Sequence, residues 1–383
     1  MIGVEGQYIL WLDIGGEKDF LDEDFFISIT LIEEAGNLLP TFELKFNLQD
    51  DNMLRLFNEG NVIKLHYGIA VNDETTTELL IMKKSIQKTG KHKYYIRLTG
   101  TLSAIRYIGN HKIRSFADKS GVEVIKEIAT ENFGGLTKFN VAKSADKQTW
   151  LQPNIPDKRF LNDVWMHSTL PASFPAIGIS IDGYFILKDI MKDIQEFSKD
   201  PVWKLINKSI EDKQDVLVDA NYIVSTESGF FNHWLGYCRE QSLRTLESAE
   251  DTTTLPEVSP LLATDTSTLD RSTEVTKRVS EFGLLGDNVH EKYWESYWHN
   301  MTHLAMFSSV KLFVSYPMRM LSEMRILDLV NFEDEQVGSE MLSSDYSGLY
   351  YITKLSRTIA HKHMSTSLEL SKESLSSIKG DLQ

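Results

Sequence analysis

A stretch near the start of this chain is echoed near its end, in the same order and at nearly constant spacing. Leu56-Phe57-Asn58-Glu59-Gly60-Asn61-Val62-Ile63-Lys64-Leu65 runs parallel to Met320-Leu321-Ser322-Glu323-Met324-Arg325-Ile326-Leu327-Asp328-Leu329, with Glu59 matched to Glu323 at an offset of 264. Ile81-Met82-Lys83-Lys84-Ser85 then faces Ile352-Thr353-Lys354-Leu355-Ser356 at an offset of 271. Each segment leads through a basic, His-containing turn, at 90–93 and 361–363, into an alternating strand. Amphipathic strands can match by chance, but both pairs keep their order, which favours a duplication. Two similar β-modules in one chain would let three chains build a ring of six.

The strand pattern is clearest from Phe42 to Gln49. There Phe42, Leu44, Phe46 and Leu48 alternate with polar residues, giving one buried and one wet face. Ile63, Leu65 and Tyr67 alternate before Gly68, and the polar stretch Val71 to Glu78 is expected to separate the next hairpin. That hairpin, Leu79 to Thr99, turns at Gly90-Lys91-His92. After Asn110 the period changes. Ser120-Gly121-Val122-Glu123 is a capping box for a helix whose face carries Val124, Ile125, Ile128 and Ala129, with Gly134-Gly135 as its stop. Asp157 can cap a second helix with Phe160, Leu161, Val164 and Trp165 on one stripe. Ile177, Ile179 and Ile181 lead into Asp182-Gly183, the signature of a type I′ hairpin turn.

Val216 to Thr226 returns to β character, and Phe230 to Tyr237 is strongly aromatic. A Thr, Ser and Asp-rich segment from Glu247 to Ser280 has too little apolar content for a core and is expected to be a surface excursion. A helix from about Asn288 to Met306 follows, then alternation at Val310, Leu312, Val314 and at Met364, Thr366, Leu368, Leu370. The residues from Lys372 onward are polar and expected to fray.

The charge narrows the function. Forty basic against fifty-five acidic residues give a formal net charge of −15, so phosphate backbones and anionic membranes should repel the chain. Cys238 is the single cysteine, which leaves no intrachain disulfide or Cys-based zinc site and reads as a buried thiol made in a reducing cytoplasm. Met1 to Asp13 lacks the form of a signal peptide, and no stretch approaches the roughly 18 to 20 apolar residues of a membrane span.

Motifs of catalysis are weak. Gly15-Gly16 and Gly134-Gly135 lack the context of a nucleotide loop, and no Gly-x-Ser-x-Gly elbow occurs. Glu295, His299 and His303 fall at i, i+4 and i+8 on one helix and could line up as metal ligands, but the order of a metalloprotease motif is missing and a packed helix edge accounts for them better. His361 and His363 read as a solvated hairpin turn. Glu33-Glu34 and Asp50-Asp51 could be imagined as an acid and base pair, but neighbouring carboxylates in turns are more often plain solvation. Trp150, Trp165, Trp203 and Trp234 form no periodic stacking set and read as core. The chain is therefore expected not to be an enzyme, with no catalytic, cofactor-binding or metal-ligating residue and no cofactor assigned.

The order of these features resembles a known family. The β-module ending near Ile108, the run Phe116-Ala117-Asp118-Lys119-Ser120 into Val122 to Ile128, and the closing run Ser347-Gly348-Leu349-Tyr350-Tyr351-Ile352 to Leu368-Glu369-Leu370 are similar to baseplate hub proteins of contractile-tailed, T-even-like phages. The hub half of VgrG spikes and the phage late control D proteins share that fold. The resemblance implies a β-dominated α+β chain with two duplicated β-barrel-like tube modules, an α+β insertion domain between them, and a helical and irregular insertion in the second.

The expected boundaries are 1–109 for module I, 110–215 for the insertion domain, and 216–246 with 307–372 for a discontinuous module II. The excursion and helix take 247–306, and a polar tail takes 373–383. The family implies a homotrimer in the virion tail baseplate, assembled in the host cytoplasm. It would join a hexameric tail tube above to a trimeric central spike below, contact other baseplate proteins, and conduct DNA through a channel without binding it specifically. VgrG continues into a spike, whereas this chain ends after its second module, so its spike should be a separate polypeptide. The rival expectations are a tail-associated cell-wall hydrolase and a receptor-binding module.

Overall fold

The computed structural model describes residues 9–14, 17–20, 26–49, 53–68, 74–141, 144, 146–170, 173–197, 201–208, 216–218, 221–226, 240–245, 253–254, 277–282, 290, 292–307, 310–317, 324–334, 347–360 and 363–373. Cys238, Trp234, Asp50-Asp51, His361, the aromatic run 230–237 and most of the excursion lie outside them.

Alternating apolar residues build the first region as strands. These are β1 (Ile9–Ile14), β2 (Glu17–Phe20), β3 (Phe26–Glu34), β4 (Thr41–Leu48), β5 (Val62–Gly68), β6 (Glu74–Gly90) and β7 (Lys93–Leu102). In β4 the predicted face is the buried one, with Phe42, Leu44, Phe46 and Leu48 all in the core. Residues 74–78, expected to lie between strands, instead begin β6 and pair with β5, Glu78 opposite Lys64 and Thr76 opposite His66. Threonine suits a pleated surface even in a polar run, so polarity alone misplaced that boundary.

A mixed region follows: α1 (Ile105–Gly109), β8 (His111–Lys119), α2 (Gly121–Phe133), β9 (Thr137–Asn140), β10 (Gln148–Pro156), α3 (Asp157–Met166), β11 (Pro175–Ile179), β12 (Phe185–Asp189) and α4 (Ile190–Phe197). The capping box of α2 is formed. The Glu123 amide donates to Ser120 Oγ at 3.3 Å, and the Ser120 amide donates back to Glu123 Oε2 at 2.9 Å. Two expectations change here. Pro156, not Asp157, is the N-cap of α3; Asp157 is fully buried as the first helical residue. In the β11–β12 connection the Ser180 amide donates to the Tyr184 carbonyl and encloses a loop of three residues, of which only Gly183 is in the left-handed region (φ 85°), so it is longer than the two-residue type I′ form.

The chain then returns to strands: β13 (Trp203–Lys208), β14 (Val216–Val218), β15 (Asn221–Thr226), β16 (Glu240–Thr245), β17 (Thr253–Thr254) and β18 (Lys277–Phe282). Helix α5 (Tyr293–Phe307) precedes β19 (Val310–Pro317), β20 (Leu329–Asp334), β21 (Gly348–Ala360) and β22 (His363–Lys372). The β16–β18 strands form a small sheet of their own, so part of the Thr-rich excursion is ordered by pairing. Lys372, expected to fray, is buried, its Nζ 4.4 Å from the centroid of the Tyr350 ring. A cation over an aromatic face tolerates burial that a bare ammonium would not.

Two five-strand meanders carry the same order, β3-β4-β7-β6-β5 and β15-β19-β22-β21-β20. Their backbone details agree. The Gly60 amide donates to the Ile81 carbonyl and the Ile81 amide to Asn61, while the Leu327 amide donates to Ile352 and the Ile352 amide to Asp328. Gly60 and Leu327 both have positive φ, 86° and 65°. The long strand of each hairpin has a bulge one residue later, between Ile81 and Lys83 and between Ile352 and Lys354. The offset of 271 thus matches equivalent positions. The first echo is displaced: Gly60 corresponds to Leu327, an offset of 267 where the letters suggested 264. Identity of side chains aligned Glu59 with Glu323, whereas the turn aligns its left-handed residue.

No closed barrel is seen among the described residues. Among the described residues the strands join one open 14-stranded sheet, because β21 pairs with β22 on one side and with both β20 and β3 on the other. Three cores lie under it: one beneath each meander, and one in the mixed region around α2 and α3.

Candidate assembly surfaces

The catalytic-looking residues are absorbed into packing. His303 is buried and stacks on Phe174 with ring centroids 5.0 Å apart, and burial, with the nearby His299, pushes its pKa down to about 3. His299 Nε2 donates to the Ser173 carbonyl at 2.9 Å, and burial lowers its pKa as well. The two imidazoles meet edge to face at 4.6 Å, as neutral rings holding α5 onto the 173–174 segment. Among the described residues no cluster of three or more His, Cys, Asp or Glu is placed to hold a metal. Trp150 and Trp203 use their indole N–H groups locally, on the Lys119 carbonyl and on Asp328 Oδ2, each at 3.0 Å.

A buried polar cluster fixes the mixed region. Asp157 receives Lys112 Nζ and Arg114 Nη2 at 2.7 Å each, Asn132 Nδ2 at 2.9 Å and Gln152 Nε2 at 3.0 Å. Burial raises its pKa, but these hydrogen bonds and the Arg114 charge outweigh it and hold the carboxyl below its ordinary value. A fully buried carboxylate with four donors is a strut between β8, β10 and α2, with no lone pair left for chemistry.

Glu33 and Glu34 are not in a turn. They end β3, on opposite faces, and each takes a cation from β21. Lys354 Nζ lies 2.5 Å from Glu34 Oε1. Arg357 pairs with Glu33 and also donates to the Met324 carbonyl, with both side chains almost wholly buried. Burial pushes the Glu33 carboxyl up in pKa, even with Arg357 beside it. Thr30 and Thr358 add a hydroxyl contact at 3.1 Å. This junction, Lys354 opposite Glu34 through Ile359 opposite Ile29, welds the two meanders together. A crevice of about 500 Å³ beside it is lined by Glu34, Gly36, Trp165, Phe174, Leu327 and Tyr351. Its walls are largely apolar, and its carboxylates Glu34 and Glu369 are held by Lys354 and Lys311 at 2.5 and 3.3 Å.

Two strand edges are open. Beyond its bulge, β6 runs on to Gly90 with β7 as its one ladder neighbour among the described residues, and β15 pairs there with β19 alone. Both edges expose apolar side chains: Met82 59%, Ile86 45% and Ile223 69%. These residues were missed in the sequence, where the sole hint is an isolated isoleucine within Lys83-Lys84-Ser85-Ile86-Gln87-Lys88.

No family model matches the chain, and no curated protein does. Solved structures do. A tail protein from Neisseria meningitidis MC58 has a TM-score of 0.61 at 10% identity, over 96% of this chain and 97% of that one. The 43 kDa tail protein of prophage MuSo2 from Shewanella oneidensis has a TM-score of 0.61 at 9% identity, over 96% and 99%. An E. coli component of the type VI secretion system, described as structurally similar to the T4 bacteriophage tail proteins gp27 and gp5, has a TM-score of 0.52 at 6% identity, over 96% and 78%. At such identities the likeness is one of fold, and it extends over nearly the whole chain.

Proposed function

We propose that this chain is the structural baseplate hub of a contractile phage tail: a homotrimer that adapts a hexameric tail tube to a trimeric spike and forms part of the channel for DNA. The observation that carries this is the pair of meanders with one strand order, one turn hydrogen-bond pattern and one bulge position. Two copies of one module per chain let a closed three-fold assembly offer six similar surfaces on one side, which is what joining a six-fold ring to a three-fold object requires. The fold shared with tail proteins supports the same assignment.

The modules occupy 1–109 and, discontinuously, 216–246 with 307–372; the segments 110–215 and 247–306 break the pseudo-symmetry and meet neighbours specific to the hub. The net charge of −15 per chain, tripled in the assembly, keeps passing DNA from adhering where it faces the channel. Light-scattering mass of the purified chain, alone and mixed with candidate tube and spike proteins of a contractile tail, tests the proposal. A three-fold complex is expected in at least one mixture; a monomer in every mixture would overturn it. Turnover of cell-wall polymer by the purified chain would replace it with the hydrolase alternative, and glycan binding by the isolated monomer with the receptor-binding one.

A further inference from the structure

Helix α5 is fastened to the body of the chain by polar side chains. Ser296, His299, Asn300 and His303 fall at helical spacing and reach the segment 165–174 at the end of α3. Ser296 Oγ meets Thr169 Oγ1. Asn300 Nδ2 is shared among the Trp165, Met166 and Ser168 carbonyls at 3.3, 3.0 and 2.9 Å, which supplies donors that the C-terminal end of α3 lacks. His299 Nε2 donates to the Ser173 carbonyl, and His303 stacks on Phe174. Nearer the start of the helix, the Tyr293 and Tyr297 rings stack on His167 with centroids 3.8 and 5.1 Å away. Leu304 lines the crevice between the meanders and the mixed region.

Three imidazoles therefore lie in one seam, and burial disfavours a proton on each. It pushes the His303 pKa down to about 3 and lowers those of His299 and His167. Glu295 acts on His299, and Asp163, 3.6 Å from His167 and 54% exposed, acts on His167, but burial outweighs both. The other ionisable groups around the seam are engaged or neutral. Asp146 accepts the Thr169 and Gly121 amides at 2.9 and 3.3 Å, and Asp189 accepts the Ser173 hydroxyl at 2.6 Å and the Lys192 amide at 3.1 Å. Lys311 and Glu369 hold each other at the crevice, burial keeps the Tyr293 phenol protonated, His290 Nδ1 accepts the Lys292 amide, and the Lys292 side chain is exposed. His303 Nδ1 and Asn300 Oδ1 are buried with no hydrogen-bond partner among the described residues, so the seam is not fully satisfied even when neutral.

We infer that α5 is an acid-released latch: on acidification its histidines take up protons, the helix leaves the 165–174 segment, and the crevice beside Leu304 opens while the three cores stay folded. The docked histidines hold protons more weakly than the released ones, whose ordinary pKa is 6.5. Docking is then fully favoured above that value and weakens as pH falls from it toward the docked values. Each histidine contributes up to about tenfold per pH unit to the release equilibrium, so His299 and His303 together contribute up to about a hundredfold. A second proton in the seam also sets two cations side by side, because the two rings are 4.6 Å apart.

Hydrogen exchange of the full chain at pH 7 and pH 5, with intrinsic rates corrected for pH, tests this. Peptides covering 293–307 should lose protection at least tenfold at pH 5 while those covering α2, 121–133, keep theirs, and the loss should reverse on return to pH 7. The neutral probe N-phenyl-1-naphthylamine should gain fluorescence over the same range as the crevice opens. His299→Gln combined with His303→Phe, which keeps the stack on Phe174, should abolish the pH dependence; if that variant does not fold, His299→Gln alone should reduce it about tenfold per pH unit at most. Equal protection of 293–307 at both pH values overturns the latch. So does loss of protection in 121–133 in step with 293–307, which would be unfolding of the whole chain, and so does a folded double variant that keeps the pH dependence. None of these outcomes bears on the hub proposal, which is read from the mass of the assembled complex.

Discussion

The hairpins β6–β7 and β21–β22 are built alike, yet among the described residues the outer part of β6 has no ladder partner on the side where β21 is covered by β3. The hydrogen bonds at 60–81 and 327–352 and the first bulges coincide, and β6 adds a second register shift near its tip, between Lys88 and Gly90. What differs is the neighbour. Against β3, β21 carries a buried Arg357 matched to Glu33, and β6 offers an exposed Ile86 at the same place. The β21 edge is covered by β3 with charge partners on both strands, whereas the β6 stretch Lys83-Lys84-Ser85-Ile86-Gln87-Lys88 has β7 as its one ladder neighbour among the described residues.

The largest test of this contrast is Arg357→Ala. It leaves Glu33 buried without its counter-ion and should cost about 3–5 kcal/mol in urea unfolding. Ile86→Ala, its counterpart, should change monomer stability by less than about 0.5 kcal/mol. If the two costs were equal, the hairpins would not differ in the way described.

Second in size is Gly100→Ala. Gly100 lies between Phe42 and Ile81, where the other hairpin has Leu370 between Leu312 and Ile352. A Cβ on Gly100 would come within 1.9 Å of the Leu80 carbonyl oxygen and 2.6 Å of the Phe42 ring. The backbone must shift, and a loss of about 1–3 kcal/mol is expected in the same assay. A neutral result would show that the first meander is less tightly packed than the second.

Acid sensitivity should belong to the covered half. His303, on the helix packed against that half, titrates at about 3 when folded against an ordinary 6.5, so the unfolded chain binds the extra proton between those values. Stability is then fully present above about 6.5 and falls as pH drops toward 3, by at most about 1.4 kcal/mol per pH unit. His303→Gln should flatten that slope when unfolding is measured from pH 6 to pH 4. An unchanged slope would move the sensitivity elsewhere.

The smallest effect is expected from Lys354→Ala. Its ion pair with Glu34 has both side chains over 40% exposed, so the change should stay within about 1 kcal/mol and shrink further in high salt. A larger loss would mean that the internal junction depends on its rim as well as on Arg357.

Much of the fold was legible along the chain. The alternation of Phe42 to Leu48, the Ser120 capping box and the 271 offset are local patterns, and each stands where it was read. Other features were misread because a neighbour distant in sequence changed their meaning. Asp157 has the chemistry of a cap, but Lys112 and Arg114 draw it into the interior. Lys372 looks like a fraying tail until Tyr350 covers it. The Glu295, His299 and His303 row, by contrast, was read as a packed helix edge, and His303 and His299 lie against Phe174 and the Ser173 carbonyl.

By itself, the sequence determined the alternation of β4, the cap of α2 and the 271-residue echo, because periodicity, capping and turn chemistry act over a few residues. Which edges are covered was decided only by the tertiary structure. The Lys354–Glu34 contact spans 320 residues, and no local rule separates that covered edge from the open one on β6. Strand pairing is set by which edges meet in space, and the same backbone groups serve a neighbour in the chain or a second copy equally well.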